Sequence, residues 1–589
     1  MADSDSGGSP KEMSMEVRLL LAFLLMGVVM FVTPYFYKTP PPNKNGHKTT
    51  TAQTEPSQAP SAPATAETQA PPAAAETARA AAPAEPATVA ESLPPVVIDT
   101  KLFRVTFNNQ GATVRSWLLK KYKGNDKKLL DLVNPAVGAE VPYPFALYFA
   151  GQQPAAKVNQ VYYTQTVDGD GLGVAYSYSD GHTTVRKTFR FERDSYLCQV
   201  SSEVTVDGRP LDHAIEWRGG FGDLTVYNAP GKEYALYFNP AENKLYEESA
   251  KSAKNGPVPA TANFSFAGVE DQYFAAVFLP QTGDVTVAGE RPPLTATTFD
   301  DKLRFPANES PQDLVGAAVS EGAANRFRLF VGPKDLDLLK RIDPKLEQAV
   351  NFGWLSFMAK PLFLLVNWFN GSFVHNFGWA IVVVTIVINL ALFPLRFANM
   401  KSMRKMQALK PQIDAINAKY KNIGMTDPRK AEQNQEVMAL YKQNGVNPMG
   451  GCLPMLIQLP FFIAFYKVFT VSVEMRGASW LWVTDLSQPE TISPHILPLI
   501  MIASQFWMQK MTPTPSMGGG DPNQQKMMMY MMPLIFGVMF YNLPSGLVLY
   551  YLTSNLVGMG LQLFFNQTAA AEGAAASVTP PPKKKNPRK

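Results

Sequence analysis

The sequence is poor in the residues that build disulfides, metal sites and many catalytic centres. It contains two cysteines, Cys198 and Cys452, and only five histidines among 589 residues. The cysteines fall in different halves of the chain and the histidines are scattered, so a disulfide is implausible and no spacing typical of a metal site exists. The sequence also lacks a nucleotide-binding glycine loop and a nucleophile elbow. We therefore expect no cofactor, no metal and no enzymatic activity.

The charge balance gives no reason to expect a strongly anionic partner, because the formal net charge is only +5. The mean hydropathy conceals two different halves. Residues 38 to about 345 are polar and rich in turn-forming residues, whereas residues 350–566 contain long apolar runs. The length and this contrast predict more than one domain.

The first apolar run predicts a membrane anchor. Residues 18–37 are long enough to cross about 30 Å of hydrocarbon as a helix, and residues 1–17 would be a cytoplasmic N-terminus. A cleaved signal peptide is the alternative, but no small-x-small cleavage site follows, and the aromatic residues at 35–37 are typical of an interfacial belt. Residues 38–94 are a low-complexity mixture of Pro, Ala, Thr and Glu, which predicts a disordered linker.

Residues 95–345 show the period of two that is typical of strands. The stretch YSYSDGHTTVRKTFRF has alternating apolar positions on both sides of an Asp-Gly pair, which predicts a β-hairpin. Further strand patterns are FRVTFNN, VYYTQTV, YALYF and FRLFV. Short strands separated by regular turn residues predict an antiparallel β-sandwich.

The second half predicts an interfacial helix followed by five membrane spans. Residues 350–371 are apolar but interrupted by Lys360, Pro361 and Asn367, which favours an amphipathic helix along the membrane surface. The predicted spans are residues 377–395, 453–472, 492–509, 528–543 and 546–566. With the anchor they give an α-helical membrane protein of six transmembrane helices, five of which form the core.

Loop charges predict the orientation. The segment 396–446 carries ten Lys and Arg residues, whereas the loop 473–491 carries one, so the positive-inside rule places 396–446 in the cytoplasm. The β-sandwich then lies on the outer side of the membrane. Both termini, including the basic tail 567–589, lie on the cytoplasmic side of a multi-pass membrane protein.

The cytoplasmic segment 396–446 predicts a helical hairpin. Apolar residues recur every three or four positions along its first helix: Met403, Met406, Leu409, Ile413, Ile416 and Tyr420. Asp427 and Pro428 are suited to begin a second helix, which should end at Gln443 before Gly445.

Several predicted spans carry polar side chains and prolines that hydrocarbon disfavours. Gln458 and Pro460 lie in the third span, and Thr385 and Asn389 are four residues apart in the second. The last span adds Tyr550, Tyr551, Ser554 and Asn555. Two interpretations stay open, because such groups either hydrogen-bond neighbouring helices or line a water-accessible cavity.

Five longer motifs resemble the YidC family of bacterial membrane protein insertases, of the Gram-negative type with a large periplasmic domain. They are MALYK, VNPMGGCLPMLIQLPFFIAFY, LFPL, NLPSGLVLYYLTSNL and DPNQQKMMMYMMP. The likeness extends over essentially the whole chain. It implies an insertase and chaperone for nascent membrane proteins, which works in the lipid bilayer, alone or with the Sec translocon, and contacts the ribosome.

The resemblance also implies a mechanism, in which a hydrophilic groove is open to the cytoplasm and to lipid but closed toward the outside. The groove residues would be Thr385, Asn389, Arg396, Gln458 and Tyr551. The surface along which a client's apolar segment slides would comprise Pro460, Phe461, Phe465, Met528, Met532 and Pro533. The residues for ribosome contact would be Lys583, Lys584, Lys585, Arg588 and Lys589. Determination of topology through the positive-inside effect is the alternative role of these five residues. No ATP site is needed, because transfer of the apolar segment into lipid supplies the driving force.

One position departs from the family pattern. The family usually has an arginine five residues before the Pro-Leu pair of the second span, where this chain has Asn389. Arg396 and Lys467 are the two basic residues that would replace it. Interfacial anchoring is the alternative for both, and we favour it for Lys467, whereas Pro394 makes the helical face of Arg396 uncertain. We hypothesise that this protein relies less on a single groove charge than its relatives do.

Two other functions compete with insertion. A channel or transporter would need paired intramembrane charges or inverted repeats, and the sequence has neither. A membrane-tethered carbohydrate enzyme would need carboxylates or histidines that converge in the β-sandwich. Such residues are present in residues 95–345 but scattered along the sequence.

Overall fold

The computed structural model describes residues 87, 90–138, 141–226, 233–281, 292–303, 311–420, 429–446, 453–511 and 522–577. The predicted segments 1–17 and 18–37, most of the linker 38–94 and the tail from residue 578 lie outside these residues. The chain divides into two compact units. One comprises residues 1–271 and 275–332, and the other comprises residues 272–274 and 333–589.

The first unit is built from strands. Those described are β1 (Val96–Asp99), β2 (Phe103–Asn108), β3 (Thr113–Lys123), β4 (Leu129–Asp131), β5 (Leu147–Tyr148), β6 (Thr164–Val167), β7 (Gly173–Ser179), β8 (Thr183–Phe191), β9 (Leu197–Val206), β10 (Arg209–Pro210), β11 (His213–Trp217), β12 (Tyr234–Asn239), β13 (Lys244–Glu248), β14 (Val258–Ala262), β15 (Phe266–Glu270), β16 (Phe274–Pro280), β17 (Leu294–Leu303), β18 (Gln312–Gly322) and β19 (Ala324–Pro333).

The described strands form three sheets. The largest runs in the order β13-β12-β15-β16-β19-β9-β8-β7-β6, with β10 beside β9. A five-stranded sheet has the order β14-β17-β18-β11-β5, and a four-stranded sheet has the order β1-β2-β3-β4. β12 and β15 of the largest sheet pack on β18 of the five-stranded sheet. This layering is the β-sandwich that the sequence predicts.

The hairpin predicted at the Asp-Gly pair is confirmed. β7 and β8 pair antiparallel, and Gly181 between them has a φ of +90°, a conformation that favours glycine. Along β8 every second residue is buried, from Thr183 to Phe191, as a period of two requires. The same register places Lys187 on the buried face.

The core of the β-sandwich is an aromatic cluster around Phe145. The ring of Phe145 lies 6.3 Å from that of Trp117 in β3, 5.2 Å from Phe189 in β8 and 5.7 Å from Trp217 in β11. These three strands belong to three different sheets, so the cluster joins all of them. Each such ring buries roughly 200 Å² of surface, which makes the cluster a major source of apolar burial.

The second unit is mainly helical. Its described helices are α1 (Leu336–Ile342), α2 (Ser356–Phe369), α3 (Phe377–Ala391), α4 (Phe393–Ala408), α5 (Lys410–Lys419), α6 (Arg429–Gln443), α7 (Leu453–Val471), α8 (Ile496–Met511), α9 (Pro522–Tyr541) and α10 (Ser545–Ser577). Helix α10 packs along α3 and α8, and α9 packs along α8. Helix α10 continues past residue 566, so the predicted tail 567–589 begins as helix.

Few of these helices meet the length and hydropathy expected of a membrane span. Among the described residues, 545–567 form such a helix, with a mean hydropathy of 1.3. The helices Ser356–Val374 and Phe377–Ala391, bent by 115°, give a second only if they count as one broken span. Helix α3 has 15 residues, or about 22 Å of helix against about 30 Å of hydrocarbon. The helices alone do not establish six spans.

The segment 396–446 contains three helices with a small core of their own. That core comprises Met406, Leu409, Ile413, Val437, Tyr441 and Val446. The first predicted helix is broken in two, because α4 ends at Ala408 and Pro411 lies in the first turn of α5. Helix α6 ends at Gln443, and Gly445 has a φ of +61°, as the sequence predicts.

Helix α4 also contacts the last helix. The guanidinium of Arg404 donates from Nη2 to the carbonyl oxygen of Phe565 at 3.1 Å, and it lies 4.2 Å from the centre of the Phe565 ring. The ring of Phe397 lies 5.3 Å from the same ring, edge to face. These contacts fix α10 near residue 565 to the hairpin.

Candidate functional site

A chain of hydrogen bonds begins inside the helical unit on α3. Thr385 Oγ1 donates to the carbonyl oxygen of Ile381 at 2.6 Å, and Asn389 Nδ2 donates to the carbonyl oxygen of Thr385 at 2.7 Å. Ser554 of α10 donates from Oγ to Asn389 Oδ1 at 3.3 Å. The spacing of four residues between Thr385 and Asn389 puts both on the helix face that meets α10.

Gln458 of α7 continues this chain to a third and a fourth helix. Its Nε2 donates to Tyr550 Oη and, at 3.5 Å, to Ser554 Oγ, both on α10. Its Oε1 accepts from Arg396 Nη2 of α4 at 3.2 Å. One glutamine therefore joins α4, α7 and α10, and we call the connected set the polar network.

Exposure changes along the polar network. Thr385 is fully buried and Asn389 is 2% exposed, whereas Gln458 and Arg396 are partly exposed. At the buried end of the polar network, the side chains hydrogen-bond to other protein atoms. This is the arrangement expected of polar groups that hold helices together. The partly exposed end combines an amide with a cation, and it is the end that an outside polar group can reach.

The break between α3 and α4 directs Arg396 into the polar network. Helix α3 ends at Ala391 and α4 begins at Phe393, with Pro394 in its first turn. A continuous helix would place residues 389 and 396 on nearly the same face. Because of the break, the two side chains have partners on different helices. Arg396 is hydrogen-bonded to Gln458 of α7, and Asn389 is hydrogen-bonded to Ser554 of α10.

The remaining predicted groove residue, Tyr551, packs on α9. Its ring lies 4.9 Å from that of Phe540 and 6.0 Å from that of Phe536. Its neighbour Tyr550 makes the hydrogen bond to Gln458. Tyr550 and Ser554 of α10 thus belong to the polar network, although neither is among the predicted groove residues. Their spacing of four residues is the sequence signal that places both on one helix face.

Lys467, the other basic residue considered for the groove, lies elsewhere. A Cβ placed on Gly353 would lie 3.4 Å from Lys467 Cε and 3.9 Å from its Nζ. Gly353 has a φ of +74° and precedes α2. Lys467 therefore lies beside the turn before α2, and its role as an interfacial anchor stays a prediction.

The predicted sliding surface divides into buried and exposed residues. Phe465 is fully buried, with its ring 4.3 Å from Tyr550 and 5.7 Å from Phe469. Pro533 is also buried, whereas Pro460 and Phe461 are partly exposed. The side chains of Met528 and Met532 lie outside the part of the chain that the structure describes, as do all five predicted ribosome-contact residues.

Helix α9 presents an exposed apolar face that the sequence analysis missed. Met531, Leu534, Ile535 and Val538 are 46%, 56%, 55% and 63% exposed. Their spacing of three and four residues is the helical period, and this was the available signal. We call these four residues the α9 face.

The loop 473–491 packs on the turn between α9 and α10. Ser545 N and Oγ both donate to the carbonyl oxygen of Gln488 at 2.9 Å, and Gly546 N donates to that of Leu486 at 2.8 Å. A Cβ on Gly546 would lie 2.9 Å from the Phe469 ring and 3.0 Å from the Leu486 oxygen. Only glycine fits there, so the loop 473–491 packs tightly over this end.

The β-sandwich contains one pair that resembles a catalytic dyad. Ser202 Oγ lies 2.7 Å from His213 Nε2, and His213 Nδ1 lies 2.9 Å from the carbonyl oxygen of Leu211. Ser202 and His213 are 1% and 3% exposed. This burial lowers the pKa of His213 below its usual value. A substrate cannot reach the pair. The described residues also hold no group of three or more metal-binding side chains.

Two family models match the chain. The model described as "YidC periplasmic domain" matches residues 95–365, and the model described as "60Kd inner membrane protein" matches residues 368–572. Together they cover the β-sandwich and nearly all of the described helices.

Known proteins match it over most of their length. The "Membrane protein insertase YidC" of Geotalea daltonii is 31% identical over 576 residues, which cover 95% of this chain and 100% of that protein. The protein of the same name from Cupriavidus necator is 35% identical over 503 residues, or 80% and 82% of the two chains. A crystal structure of an active YidC insertase with its first transmembrane domain resolved is 21% identical, covers 82% of this chain and 95% of its own, and has a TM-score of 0.35. The chain belongs to the YidC family of membrane protein insertases.

Proposed function

We propose that this insertase receives the polar part of a client at the partly exposed end of the polar network, where Gln458 meets Arg396. The proposal rests on the difference in solvent exposure between the two ends of the polar network. Thr385 and Asn389 are enclosed and hydrogen-bonded, whereas Gln458 and Arg396 are partly exposed. A client segment finds hydrogen-bonding groups at one end of the network and a closed bundle at the other.

Such a site lowers the cost of moving polar groups into the bilayer. A charged side chain at the bilayer centre costs about 2.5–3.5 kcal/mol even on translocon-based scales. A guanidinium and an amide replace part of the hydration that the client loses, since hydrogen bonds to ionised groups are stronger than neutral ones. The apolar segment of the client then supplies the driving force by its own transfer into lipid.

The apolar segment leaves along the α9 face. Helices α7 and α9 meet at the rings of Phe462 and Phe540, which are 5.5 Å apart, and Phe461 beside them is partly exposed. The α9 face therefore gives the client's apolar segment a continuous row of apolar contacts on the outside of the bundle. Side chains such as Met531 are flexible and adapt to clients of different sequence.

The topology that suits this function has six spans and two cytoplasmic termini in the inner membrane. The charge difference between the segment 396–446 and the loop 473–491 supports it. Helix α2 supports a position along the membrane surface, because it buries Phe363 and Val366 but exposes Phe357 and Trp368. The short helices then span a locally thinned bilayer, while the ribosome and the Sec translocon are partners on the cytoplasmic side and in the membrane.

The competing functions have less support. The relatives are named as insertases, which does not favour a channel, a transporter or a carbohydrate enzyme. In the β-sandwich, the Ser202–His213 pair is buried. Fold alone assigns no ligand to that unit.

Site-specific photocrosslinking tests the proposal. A photoreactive residue replaces Phe461, Leu534 or Val538 in turn, and ribosome-bound clients of increasing length are irradiated in membranes. We expect adducts with the client's apolar segment at all three positions. Trp507 on α8, which is 65% exposed, is the matched control because it is equally accessible to lipid but lies off the α9 face.

Cysteine labelling tests the polar end separately. In a variant without Cys198 and Cys452, a water-soluble maleimide added from the cytoplasmic side should modify Gln458→Cys and leave Thr385→Cys unmodified. Equal labelling of both positions, or of neither, would contradict a site that is open at one end. Client adducts at Trp507 as strong as those on α9 would remove the proposed path.

A further inference from the structure

The loop 473–491 contains a tight turn with a residue of unexpected type. Trp480 N donates to the carbonyl oxygen of Val483 at 2.9 Å, and Val483 N donates to that of Trp480 at 2.8 Å. Leu481 and Trp482 therefore form a two-residue connection, and Leu481 has a φ of +50°. A positive φ at the first of two central residues is typical of a type II′ turn, where glycine is the usual residue because a Cβ is crowded there. Leucine thus occupies a position that the local backbone disfavours.

The strain at Leu481 is not offset by packing inside the protein. The side chain is 65% exposed, so most of its apolar surface lies outside the protein interior. A strained residue persists where its surroundings stabilise it, and apolar surface in water gives no such stabilisation. The contacts that favour leucine at this position therefore lie outside the chain.

The turn is attached to the first turn of α3. Asn376, which precedes α3, donates from Nδ2 to the carbonyl oxygen of Ser479 at 3.0 Å. Trp480 is 8% exposed and fills the space beside Gly378, where an added Cβ would lie 2.2 Å from its Cδ1. A residue larger than glycine at 378 would displace the indole ring. The position of Leu481 is thereby fixed relative to the start of α3.

A second attachment links the turn to the first turn of α8. Trp482 donates from Nε1 to Glu490 Oε1 at 2.8 Å, and Glu490 Oε2 accepts from the backbone N of Leu497 at 2.8 Å. Both oxygens of one carboxylate are therefore used, one for the turn and one for the helix. The turn is held from two sides, and Leu481 is exposed at the level where α3 and α8 begin.

The surroundings of Leu481 are those of a membrane interface. The rings of Trp379, Trp480 and Trp482 form a row, with 5.6 Å between the first two and 6.0 Å between the last two. Tryptophan is enriched where hydrocarbon meets water, and Trp379 is 46% exposed. Residues 477–484 contain no charged side chain, so their entry into the interface requires no desolvation of a charge. We call Leu481, Trp482 and Trp379 the Leu481 tip.

We propose that the Leu481 tip inserts into the boundary between lipid headgroups and acyl chains, on the side of the bilayer where α3 and α8 begin. The ligand is a phospholipid, which supplies the apolar contacts that offset the strained φ of Leu481. This contact surface goes beyond the proposed function, which uses the polar network and the α9 face. Only the assignment of the tip to the outer leaflet rests on the proposed topology.

Lipid contact at the Leu481 tip also restrains the turn between α9 and α10. The loop 473–491 accepts hydrogen bonds from Ser545 and Gly546 through the carbonyl oxygens of Gln488 and Leu486. A loop that is fixed in lipid at its tip and bonded to α10 sets the depth of that helix end in the bilayer.

Fluorescence quenching by lipid tests the insertion. In a variant without Cys198 and Cys452, Leu481→Cys or Thr484→Cys carries a nitrobenzoxadiazole dye, and the protein is reconstituted in vesicles of phosphatidylcholine and phosphatidylglycerol. Thr484 is the matched control, because it is an exposed residue of the same loop whose hydroxyl lies 3.4 Å from that of Thr491. Phosphatidylcholine with a nitroxide on its acyl chain should quench the dye at residue 481 about twofold more strongly than the dye at residue 484, since an inserted tip contacts acyl chains.

Substitutions at Leu481 separate lipid contact from backbone strain. Leu481→Asn and Leu481→Gly both tolerate a positive φ, so neither should lower the unfolding temperature in detergent. In nanodiscs, both should raise the rate of amide hydrogen exchange of residues 477–484 about threefold, because the loop loses its attachment to lipid. Leu481→Met keeps an apolar side chain and should exchange as the wild type does.

Equal quenching at residues 481 and 484 would overturn the proposal, as would unchanged amide exchange in Leu481→Asn and Leu481→Gly. A dye at residue 481 that is shielded from water but not quenched by lipid would show that a protein covers the tip, and this too would overturn the proposal. Failure of the proposed function would appear in a different measurement, as absent labelling of Gln458→Cys, with quenching at residue 481 unaffected.

Discussion

Lys187 of the β-sandwich makes the stability of that unit depend on pH. The side chain is buried and donates from Nζ to the carbonyl oxygens of Gly111 at 2.7 Å and Phe145 at 2.8 Å. Burial lowers its pKa from 10.5 to about 7, while the nearby Glu216 opposes the shift. We predict that the free energy of unfolding of the β-sandwich rises between pH 7 and pH 9.

The sign and size follow from proton linkage. Between the folded pKa of about 7 and the unfolded value of 10.5, the unfolded chain holds a proton that the folded chain has lost. Stability therefore increases with pH in this window. One proton is worth about 1.4 kcal/mol per pH unit. Because Lys187 is still half protonated at pH 7, the gain up to pH 9 is about 2 kcal/mol.

Other buried groups of the β-sandwich titrate as well. Burial raises the pKa of Glu216 to about 7, so that carboxyl group loses its stabilising effect between about pH 4.5 and 7. Burial also raises the pKa of the Cys198 thiol, which lowers stability only above about pH 9, where an unfolded thiol ionises. Burial also raises the pKa of Glu233 well above its usual range, so Lys187 is isolated by comparing wild type with a variant that lacks this lysine.

The assay is urea unfolding of the full chain in detergent micelles, with the folded β-sandwich measured by pulse proteolysis at each pH. Lys187→Met removes the titrating group, and its unfolding free energy should be nearly constant from pH 7 to 9. The difference in slope between the two proteins is the quantity predicted. A wild-type slope of zero or of opposite sign, or an equal slope in the methionine variant, would refute the assignment to Lys187.

Three further predictions concern the helices and the division of labour between the units. Asn389→Ala should retain insertion of most clients, since it loses one interhelical hydrogen bond worth about 1 kcal/mol and one bond within α3. Asn389→Arg should favour acidic clients, and loss of every client in the alanine variant would contradict this. Phe465→Ala should lower stability by about 3 kcal/mol through an unfilled cavity, visible as a lower unfolding temperature, whereas an unchanged temperature would mean that the ring is not packed. Deletion of residues 100–330 should leave most of the insertion activity, and its complete loss in a reconstituted assay would assign an essential role to the β-sandwich.

Local features were predictable where one short segment determines the structure. The Asp-Gly pair marks the turn around Gly181, and Gly445 marks the end of α6, because only the backbone of a few residues decides each case. The same alternation placed Lys187 on the buried face of β8. The sequence therefore already shows a charged residue, Lys187, at a position of the alternation that is otherwise apolar.

The buried faces of the helices in the second unit were not predictable in the same way. Helix α7 is apolar on nearly every side, so it carries no period that distinguishes the buried Phe465 from the partly exposed Phe461. Phe465 is the buried one of the two because its ring packs against those of Tyr550 and Phe469. The environment of Arg396 was hidden for another reason, because a one-residue break between α3 and α4 changes which faces align.

Helix α10 is attached at its first turn and again near residue 565. Its first residues are hydrogen-bonded to Gln488 and Leu486, and Arg404 holds it near Phe565. A helix restrained at two points about twenty residues apart cannot tilt without breaking one attachment. For the proposed function, we therefore expect any widening that admits a bulky client to come from α7 and α9, while α10 stays in place as the reference against which they move.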